Sequence, residues 1–313
     1  MLGASLPKAF IDGKFQEKTD LLIRDGRISA IGTGLAAEGE ELLDLGGDLL
    51  LPGFVDVHIH AFKGMDTMQG EEAVRHMSRE LKKVGVAAFL PTTMSASPED
   101  TVRALAGVKA VMERPEPDGA IVLGAHMEAP FLAEAKAGAQ LKQYFVDPNE
   151  ENWQRYTGGL ESVVRLITMA PERAGALAFI SALTKKGITV SIGHTTADAE
   201  TTHAAAEAGA THVTHTFNAQ TPLNHRAPGV PGAALVDDRL QCEVISDGIH
   251  LHPDIVKLII RTKGKEKLVA ITDAMEAAGM PDGQYQLGGQ EVFVHEGAAR
   301  LKDGTLAGST LTM

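Results

Sequence analysis

Histidines and carboxylates stand at the ends of several short apolar runs in this chain, and both residue types are ligands for divalent metals. The positions are His58 with His60, Glu128, His194, His215, His250 and Asp273. Each apolar run is typical of a buried strand. In an α/β barrel the same ends of all the strands meet at one mouth. Residues of this kind at the ends of several strands therefore predict a metal site at the mouth of such a barrel.

The first of these positions is the pair His58 and His60, two residues apart on a predicted strand, so both rings point to one face. Asp56 shares their parity, and we expect it to orient an imidazole. Glu128 could bridge two ions, and His126, of the same parity, is predicted to be supporting or structural. Taken singly, the histidine pair also fits a polar loop, and Glu128 also fits a surface ion pair.

His194 and His215 are each, taken alone, more typical of a structural histidine. With the residues above they form a nitrogen and oxygen set suited to Zn, Fe(II), Co or Mn. His212 has the opposite parity to His215, and we expect it to face a helix. Asp273 closes the last apolar run and could take a proton from water and return it to a leaving amine. Its alternative role is a cap on the following helix.

Eight apolar runs alternate with helical stretches from Phe54 onward, and this alternation predicts an α/β fold of the (β/α)8 barrel class. Helices are predicted at 71–84, 98–114, 172–186 and 197–208, several with a Ser, Thr or Asp cap or an early proline. The connection over 129–160 is long, and long connections in compact domains tend to be functional.

The N-terminal segment has a different character, and we expect residues 1–51 to form a small β domain of the sandwich type. Residues 21–32 predict a hairpin that turns at Asp25-Gly26, and "ELLDLGGDLLLPG" predicts more short strand. Pro52-Gly53 marks the boundary to a barrel over 52–313. After the last run, residues 284–305 predict a β excursion over the barrel mouth.

Composition narrows the function classes. The 313 residues carry a formal charge of −12, which argues against a nucleic-acid partner. The same charge means that local donors must hold any anionic substrate. A single cysteine, Cys242, excludes a disulfide framework. No run is long enough to span a membrane and no signal peptide is visible, so we expect a cytoplasmic protein without a membrane partner.

A resemblance to a known family is visible in longer motifs. They include "LPGFVDVHIHAFKGMD", "GAHMEAPFL", "SIGHTTAD", "THTFNAQTPLNHR", "SDGIHLHP", "ITDAMEAAGM" and "DGTLAGSTLTM". In their order and spacing the chain resembles the N-acetylglucosamine-6-phosphate deacetylases of the amidohydrolase superfamily over essentially its whole length. The resemblance implies hydrolysis of the acetamido group of N-acetylglucosamine 6-phosphate to glucosamine 6-phosphate and acetate, in amino-sugar catabolism.

The resemblance also implies a divalent metal ion, Zn or Fe, with one or two per subunit. Glu128, His194 and His215 match the ligands of the principal ion. His58 and His60, with Glu128 as a bridge, match the ligands of a second. Asp273 matches the catalytic aspartate.

Substrate contacts follow from the same resemblance. His250 matches a contact near the reacting amide, and Asn218 and Ala219 match positions that bind the sugar phosphate, partly through backbone. Arg226 matches a phosphate-binding arginine that reaches across a homodimer interface, so a homodimer is expected. The complete expected set of substrate contacts is Ala139, Asn218, Ala219, Arg226, His250, Ala307, Gly308 and Ser309.

The chain departs from the family pattern at several positions. Ala129 stands in place of a glycine, Gln140 in place of a histidine that could carry charge, and Gln220 in place of a methionine. The family also continues past the position of Met313 with the last barrel helix and with strands that complete the N-terminal β unit, so we expect a fragment. Preference among N-acetyl hexosamine epimers stays open at this point.

Two other functions fit parts of the pattern. A cyclic amidase of the dihydroorotase or hydantoinase type would share the fold, but such enzymes usually bridge their metals with a carboxylated lysine, whereas here Glu128 has that place. A non-catalytic scaffold on the same fold would be expected to lose ligands, and here the ligand set is complete.

Overall fold

The structure, a computed structural model, describes residues 2–35, 41–44 and 49–313, which divide into two compact units, Met1–Gly53 and Phe54–Met313. The first unit is a β-sheet in the order β3-β2-β1-β4, with a further short strand, β5, also paired to β1. Its strands are β1 (Leu2–Ile11), β2 (Lys14–Arg24), β3 (Arg27–Gly32), β4 (Glu41–Asp44) and β5 (Leu49–Leu50).

The predicted hairpin of the first unit is confirmed. β2 and β3 pair antiparallel around Asp25 and Gly26, whose φ angles are 51° and 72°. Two consecutive residues with positive φ give the turn that matches the twist of the flanking strands. Ala9 and Leu21 are buried and form a small core. Of the predicted strand after residue 40, residues 45–48 lie outside the described part of the chain.

The second unit consists of parallel strands that alternate with helices. Its strands and α-helices, in chain order, are β6 (Phe54–Ile59), β7 (Ala61–Phe62), β8 (Met65–Asp66), α1 (Glu71–Lys82), β9 (Val86–Thr93), α2 (Pro98–Glu113), β10 (Ile121–Val122), β11 (Ala125–Met127), α3 (Glu150–Thr157), β12 (Val164–Met169), α4 (Ala176–Lys185), β13 (Thr189–Ile192), α5 (Ala199–Ala208), β14 (His212–Val213), α6 (Gly229–Val236), β15 (Gln241–Ile245), α7 (Pro253–Lys267), β16 (Leu268–Ile271), β17 (Gly283–Leu287), β18 (Gln290–His295) and β19 (Ala298–Arg300).

The eight predicted runs all form strands, and the third supplies both β10 and β11. The sheet runs from β6 through β9, β11, β12, β13, β14 and β15 to β16, with every neighbouring pair parallel. Short contacts bring its two edges together. The backbone N–H of Asp273 donates to the carbonyl of His58 at 2.8 Å, and Ile59 bridges to Ala274. The prediction of a (β/α)8 barrel is therefore confirmed.

Asp56 helps to close the barrel, which corrects the expectation that it orients an imidazole. Its carboxylate accepts a hydrogen bond from the Thr272 hydroxyl at 2.5 Å and faces the backbone N–H of His58 at 3.3 Å. Asp56 is fully buried, and Thr272 follows the last barrel strand. Alternation fixes only the face of a strand, so it did not reveal that the hydrogen-bond partners of Asp56 are backbone N–H groups and a hydroxyl.

The helices begin near their predicted caps, with one exception. The Ser97 hydroxyl accepts from the N–H of Asp100 at 3.1 Å before α2, and Asp198 caps α5 in the same way. α4 begins only at Ala176, not at 172, because the Glu172 carboxylate is occupied by hydrogen bonds from the next strand's end and Gly175 has a φ of 80°. No helix in the described residues is both long and apolar enough to cross a membrane.

The long connection over 129–160 packs firmly against the barrel. Trp153 of α3 is fully buried, and its ring lies edge-on to Phe179 at 6.3 Å. Arg173 donates to the carboxylate of Asp147 at 2.6 Å and to the carbonyl of Leu132 at 3.0 Å. These contacts hold one wall of the mouth in place from outside.

A three-stranded antiparallel flap, β17 to β19, forms a second wall of the mouth. Leu287 and Val292 of the flap are buried in a cluster with Met94 and Ala139. The Gln290 side chain donates to the carbonyl of Ala139 at 2.5 Å. The flap and the long connection therefore contact each other.

The ammonium of Lys263 on α7 leads to a prediction about stability. It donates to the carbonyls of Ala234 and Asp237, each at 2.8 Å, at the C-terminal end of α6, and the residue is only 6% exposed. Lys263→Met leaves both carbonyls without this donor, so we expect the free energy of unfolding to fall by about 1–3 kcal/mol in chemical denaturation.

The matched control is Lys257→Met on the same helix, because Lys257 is exposed. We expect this control to change stability by less than about 0.5 kcal/mol. Equal effects of the two substitutions would show that the buried hydrogen bonds add nothing.

Candidate metal centre at the barrel mouth

Six predicted residues meet at the C-terminal ends of five barrel strands. They form two groups whose ligand atoms lie within 4.8 Å of one another, one of His58, His60 and Asp273 and the other of Glu128, His194 and His215. All six are buried. Residues more than 200 positions apart in the chain are thus brought into one constellation by barrel closure.

The carboxylate of Glu128 faces both groups. Its Oε1 lies 3.1 Å from the Nε2 atoms of His194 and His215 and 3.3 Å from Nε2 of His58. Its Oε2 lies 3.1 Å from Nε2 of His60. A single carboxylate between four imidazoles is the arrangement required of a bridging ligand.

Asp273 stands on the other side of the histidine pair. Its Oδ1 lies 3.2 Å from Nε2 of His60 and 3.4 Å from Nε2 of His58. Its backbone is held twice, because its N–H donates to the carbonyl of His58 and its own carbonyl accepts from Ser309, both at 2.8 Å. The backbone of Asp273 is therefore held by the first barrel strand on one side and by the segment at Ser309 on the other.

Several of these residues have strained backbones. The φ angles of His194, His215 and Asp273 are 45°, 27° and 50°, in the left-handed region that residues with a Cβ rarely adopt. Such conformations cost about 1–3 kcal/mol each and persist where surrounding contacts enforce them. Here the contacts include the N–H of Ala133 on the carbonyl of His194 at 2.9 Å. The turns end the strands and direct the side chains into the mouth.

Three of the imidazoles have an oxygen behind the ring. Nδ1 of His194 lies 2.8 Å from the carbonyl of Lys136, and Nδ1 of His60 lies 3.3 Å from that of Thr92. Nδ1 of His58 lies 3.2 Å from the carboxylate of Glu243. A carbonyl can only accept, so Nδ1 of His194 and of His60 carries hydrogen and Nε2 presents its lone pair to the centre.

The charges of the site favour a cation. Burial by itself lowers the pKa of His60, but Asp273 and Glu128 outweigh burial and raise it to about 9. Burial raises the pKa of Glu128, yet the charges of His58 and His194 hold it well below its usual range. The two buried carboxylates thus stabilise positive charge beside them. A divalent cation can supply this charge in place of protons on the imidazoles. The donors are nitrogen and oxygen atoms only, a set that fits a divalent metal ion.

His126 and His212 lie outside this constellation. His126 is buried, donates or accepts at 2.8 Å with the hydroxyl of Thr168, and packs edge-on against His58 with ring centroids 4.5 Å apart. Burial, followed by the charge of His58, holds the pKa of His126 well below its usual value. This neutral packing role agrees with the structural reading of its sequence position.

His212 does not face a helix as its spacing predicted. It lines a cavity with Leu90, Leu166 and Thr189, residues of three other barrel strands, and therefore faces the barrel interior. The expectation failed because β14 has only two residues, after which the chain turns. Strand alternation consequently does not extend from His212 to His215.

A cavity of about 290 Å³ opens beside the ligand groups. Of the predicted substrate contacts, its lining includes Ala139, Asn218, Ala219, His250 and Gly308. The Asn218 amide nitrogen is buried and has no hydrogen-bond partner within the described residues. His250 is oriented through Nδ1, which lies 2.7 Å from the carboxylate of Asp247. These side chains have polar atoms available to a ligand.

Three predicted contacts do not line the cavity. Arg226 lies in an exposed loop, Ala307 is buried beside the flap, and the Ser309 hydroxyl donates to the carbonyl of Thr272 at 2.5 Å. Gly308, between the last two, has a φ of 63°, and a Cβ there would lie 3.0 Å from the carbonyl oxygen of Asp273. The loop thus reaches the cavity through its glycine.

Three residues lie at the site although the sequence analysis did not assign them to it. Gln140, noted only as a departure, donates to the Glu128 carboxylate at 2.5 Å and accepts from the N–H of Ser95 at 2.7 Å. Glu243 is a charge inside an apolar run, which is a usable signal because buried carboxylates are rare. Lys136 lines the cavity from the end of a one-turn 3₁₀-helix, Glu134–Lys136, that carries no such signal.

Comparison with known proteins places these features in a family. The sequence model of the family described as "Amidohydrolase family" matches residues 49–308. The chain is 41% identical to an N-acetylglucosamine-6-phosphate deacetylase of Lysinibacillus sphaericus over 303 residues, covering 95% of this chain and 77% of the relative. It is 37% identical to an N-acetylgalactosamine-6-phosphate deacetylase of Escherichia coli O157:H7, covering 94% and 76%.

Solved structures give the same result. A mutant N-acetyl-D-glucosamine-6-phosphate deacetylase from Mycobacterium smegmatis in complex with N-acetyl-D-glucosamine-6-phosphate superposes with a TM-score of 0.89 at 34% identity, covering 99% of this chain and 81% of that one. The corresponding enzyme from Pasteurella multocida has a TM-score of 0.93 at 28% identity, with the same coverage.

The glycine before His194 gives a test of how tightly the site is packed. A Cβ at Gly193 would lie 2.6 Å from Cβ of Thr214 and 2.8 Å from Cγ2 of Thr168. Gly193→Ala must therefore displace the end of β13, and we expect a loss of about 1–3 kcal/mol in stability together with weaker metal retention in dialysis against a chelator.

Gly283→Ala is the control, because its added Cβ would meet only the Tyr285 ring, at 3.5 Å. The idea of a tightly packed strand end is wrong if both alanine variants retain metal and stability equally.

Proposed function

The chain belongs to the amidohydrolase family and, within it, to the N-acetylglucosamine-6-phosphate deacetylases, and from this premise we propose how its barrel mouth works. It is a metal-dependent hydrolase that removes acetate from the acetamido group of an amino-sugar 6-phosphate. The observation that carries the mechanism is the convergence of four histidines and two carboxylates in one buried mouth.

Glu128, His194 and His215 would hold the principal ion, and His58 and His60, with Glu128 as a bridge, a second. We propose Zn or Fe, with one or two ions per subunit. An ion held there supplies Lewis acidity, which brings the pKa of water towards about 7 and stabilises negative charge on the amide oxygen. The backbone carbonyls behind His194 and His60 keep those two rings directed at this point.

Asp273 is the proposed proton carrier. Burial by itself raises the pKa of Asp273, but the charges of His58 and His60 outweigh burial and hold it below its ordinary value. The group is therefore a carboxylate at neutral pH and can accept a proton from the attacking water. As oxygen adds to the amide carbon and the C–N bond breaks, the same proton passes to the leaving nitrogen.

Recognition of the sugar phosphate falls to groups around the cavity. His250, fixed by Asp247, is proposed to contact the substrate near the amide, and Asn218 with Ala219 to contact the sugar phosphate. Arg226 is proposed to reach across a homodimer interface and contact the phosphate of the substrate bound in the neighbouring subunit. Its exposed position in a loop fits this role. A cytoplasmic location is part of the same proposal.

Lys136 is a further candidate for phosphate binding, this time from the same chain. It lines the cavity, is half-buried, and makes no ion pair with any described residue. A chain of net charge −12 repels a phosphate, so substrate binding depends more strongly on a cationic side chain at the mouth that is not already paired with a carboxylate.

The alternative of a cyclic amidase is disfavoured by the central position of Glu128, where those enzymes usually have a carboxylated lysine. A more specific alternative concerns the epimer. The relative from Escherichia coli O157:H7, at 37% identity, is an N-acetylgalactosamine-6-phosphate deacetylase, so both epimers must be tested.

The deciding experiment measures acetate release by metal-replete protein from N-acetylglucosamine 6-phosphate, from its galactosamine epimer and from unphosphorylated N-acetylglucosamine. We expect turnover of a phosphorylated sugar at a kcat/KM far above that of the unphosphorylated one. Turnover of neither phosphorylated sugar by protein that holds metal would overturn the proposed function.

Asp273→Asn separates proton transfer from metal binding. We expect kcat to fall by about 10²–10⁴-fold, the range for loss of a general acid–base group, while metal content is largely retained on the Glu128, His194 and His215 group. Metal content by mass spectrometry and acetate release are measured on the same sample. Asp303→Asn, at an exposed position, is the control. Parallel loss of metal and activity would make Asp273 chiefly a ligand.

Lys136→Met and Arg226→Ala test phosphate recognition. Each loses a charge-assisted contact, so we expect KM for the phosphorylated sugar to rise about tenfold with kcat little changed. Lys142→Met, exposed in the same connection and outside the cavity lining, is the control for Lys136. An unchanged KM removes the substituted residue from the phosphate site.

The role of Arg226 across an interface has its own test. Mixed dimers of Arg226→Ala and Asp273→Asn chains contain one site with an intact aspartate and an intact partner arginine. Assayed below KM, the mixture should exceed the mean activity of the two variants alone. A mixture that merely averages them contradicts action across the interface.

A further inference from the structure

Glu243 is a buried carboxylate that the mechanism above leaves without a role. It lies in the middle of β15 and is fully buried. Its Oε2 is 3.2 Å from Nδ1 of His58 and 3.1 Å from the backbone nitrogen of His215, which donates to it. Its Oε1 has no hydrogen-bond partner in the described chain. One oxygen therefore contacts a member of each ligand group.

We propose that Glu243 is a positioning residue for the metal centre. A carboxylate oxygen accepts a hydrogen bond from a ring N–H, so the 3.2 Å contact fits a hydrogen on Nδ1 of His58, which leaves the lone pair of Nε2 directed at Glu128 and Asp273. The same oxygen holds the backbone of His215 in its left-handed turn, with φ of 27°. Glu243 thus ties the side chain of one ligand to the main chain of another.

The location of Glu243 separates positioning from catalysis. It does not line the cavity and so does not touch a substrate there. No lysine or arginine among the described residues forms an ion pair with it, and its one ion-pair partner is His58. A buried carboxylate without a lysine or arginine beside it is costly, so its place beside the metal ligands needs a reason. Orientation of those ligands supplies the reason, on the assumption that they bind metal as in the proposed function.

The experiment compares Glu243→Leu, Glu243→Gln and wild type. Leucine fills similar space without a hydrogen bond, whereas glutamine keeps one acceptor oxygen but no charge. Full-length protein is loaded with zinc and equilibrated with graded amounts of a chelator, and retained zinc is measured by mass spectrometry. We expect zinc affinity to weaken about 10- to 100-fold in the leucine variant, as for other groups behind metal ligands, and by less in the glutamine variant.

Ser191→Ala is the matched control. Ser191 is also fully buried on a barrel strand, and its hydroxyl bonds Thr214 at 2.6 Å rather than a ligand side chain. Its zinc affinity should equal that of wild type even if its melting temperature falls. If the leucine variant does not fold, the glutamine variant decides. Zinc affinities of the Glu243 variants no weaker than that of Ser191→Ala overturn the proposal.

Acetate release by the same wild-type sample keeps the two proposals apart. Zinc binding that depends on Glu243 without turnover would contradict the deacetylase mechanism and leave the positioning role intact. Turnover with zinc binding insensitive to Glu243 would contradict positioning alone. Wild-type protein that holds neither zinc nor iron would overturn both.

Discussion

The buried carboxylate of Glu128 among four imidazoles is the interaction on which the rest of the site depends. A charge with so little access to water is tolerable only where positive charge and hydrogen-bond donors surround it. The nitrogen atoms around it arrive from the ends of three other strands, and Gln140 adds an amide donor. A divalent cation supplies the positive charge that this carboxylate needs. The buried negative charge, which would destabilise the folded protein if left unpaired, therefore favours metal binding.

Precision at this point comes from features outside it. Asp56 and Thr272 join the first and last strands, and the strained turns at His194, His215 and Asp273 release the chain from each strand in a defined direction. Because backbone strain must be held by surrounding contacts, the carbonyls and carboxylates behind the rings are part of the same device. The barrel therefore holds the ends of its strands rigidly, and this fixes the positions of the candidate ligands.

The fold and most of the candidate metal centre could be predicted because their signals are local. Apolar runs of strand length alternate with amphipathic stretches, and a residue that can bind a metal is recognisable at the end of a run without knowledge of its partners. Positions such as His212 and the start of α4 were predicted wrongly for a physical reason. A two-residue strand has too little alternation to define a face, and the contact of Glu172 with a neighbouring strand end is not visible in its own segment.

The sequence by itself determined the barrel, the order of its strands, the identity of the candidate ligands and the family. Those properties follow from residue type and short-range spacing. Only the tertiary structure decided that Glu243 holds His58, that Gln140 contacts Glu128, that Asp56 closes the sheet and that Lys136 lines the cavity. Each of these facts depends on how a side chain is placed relative to neighbours brought together by barrel closure, and no periodicity along one strand specifies that placement.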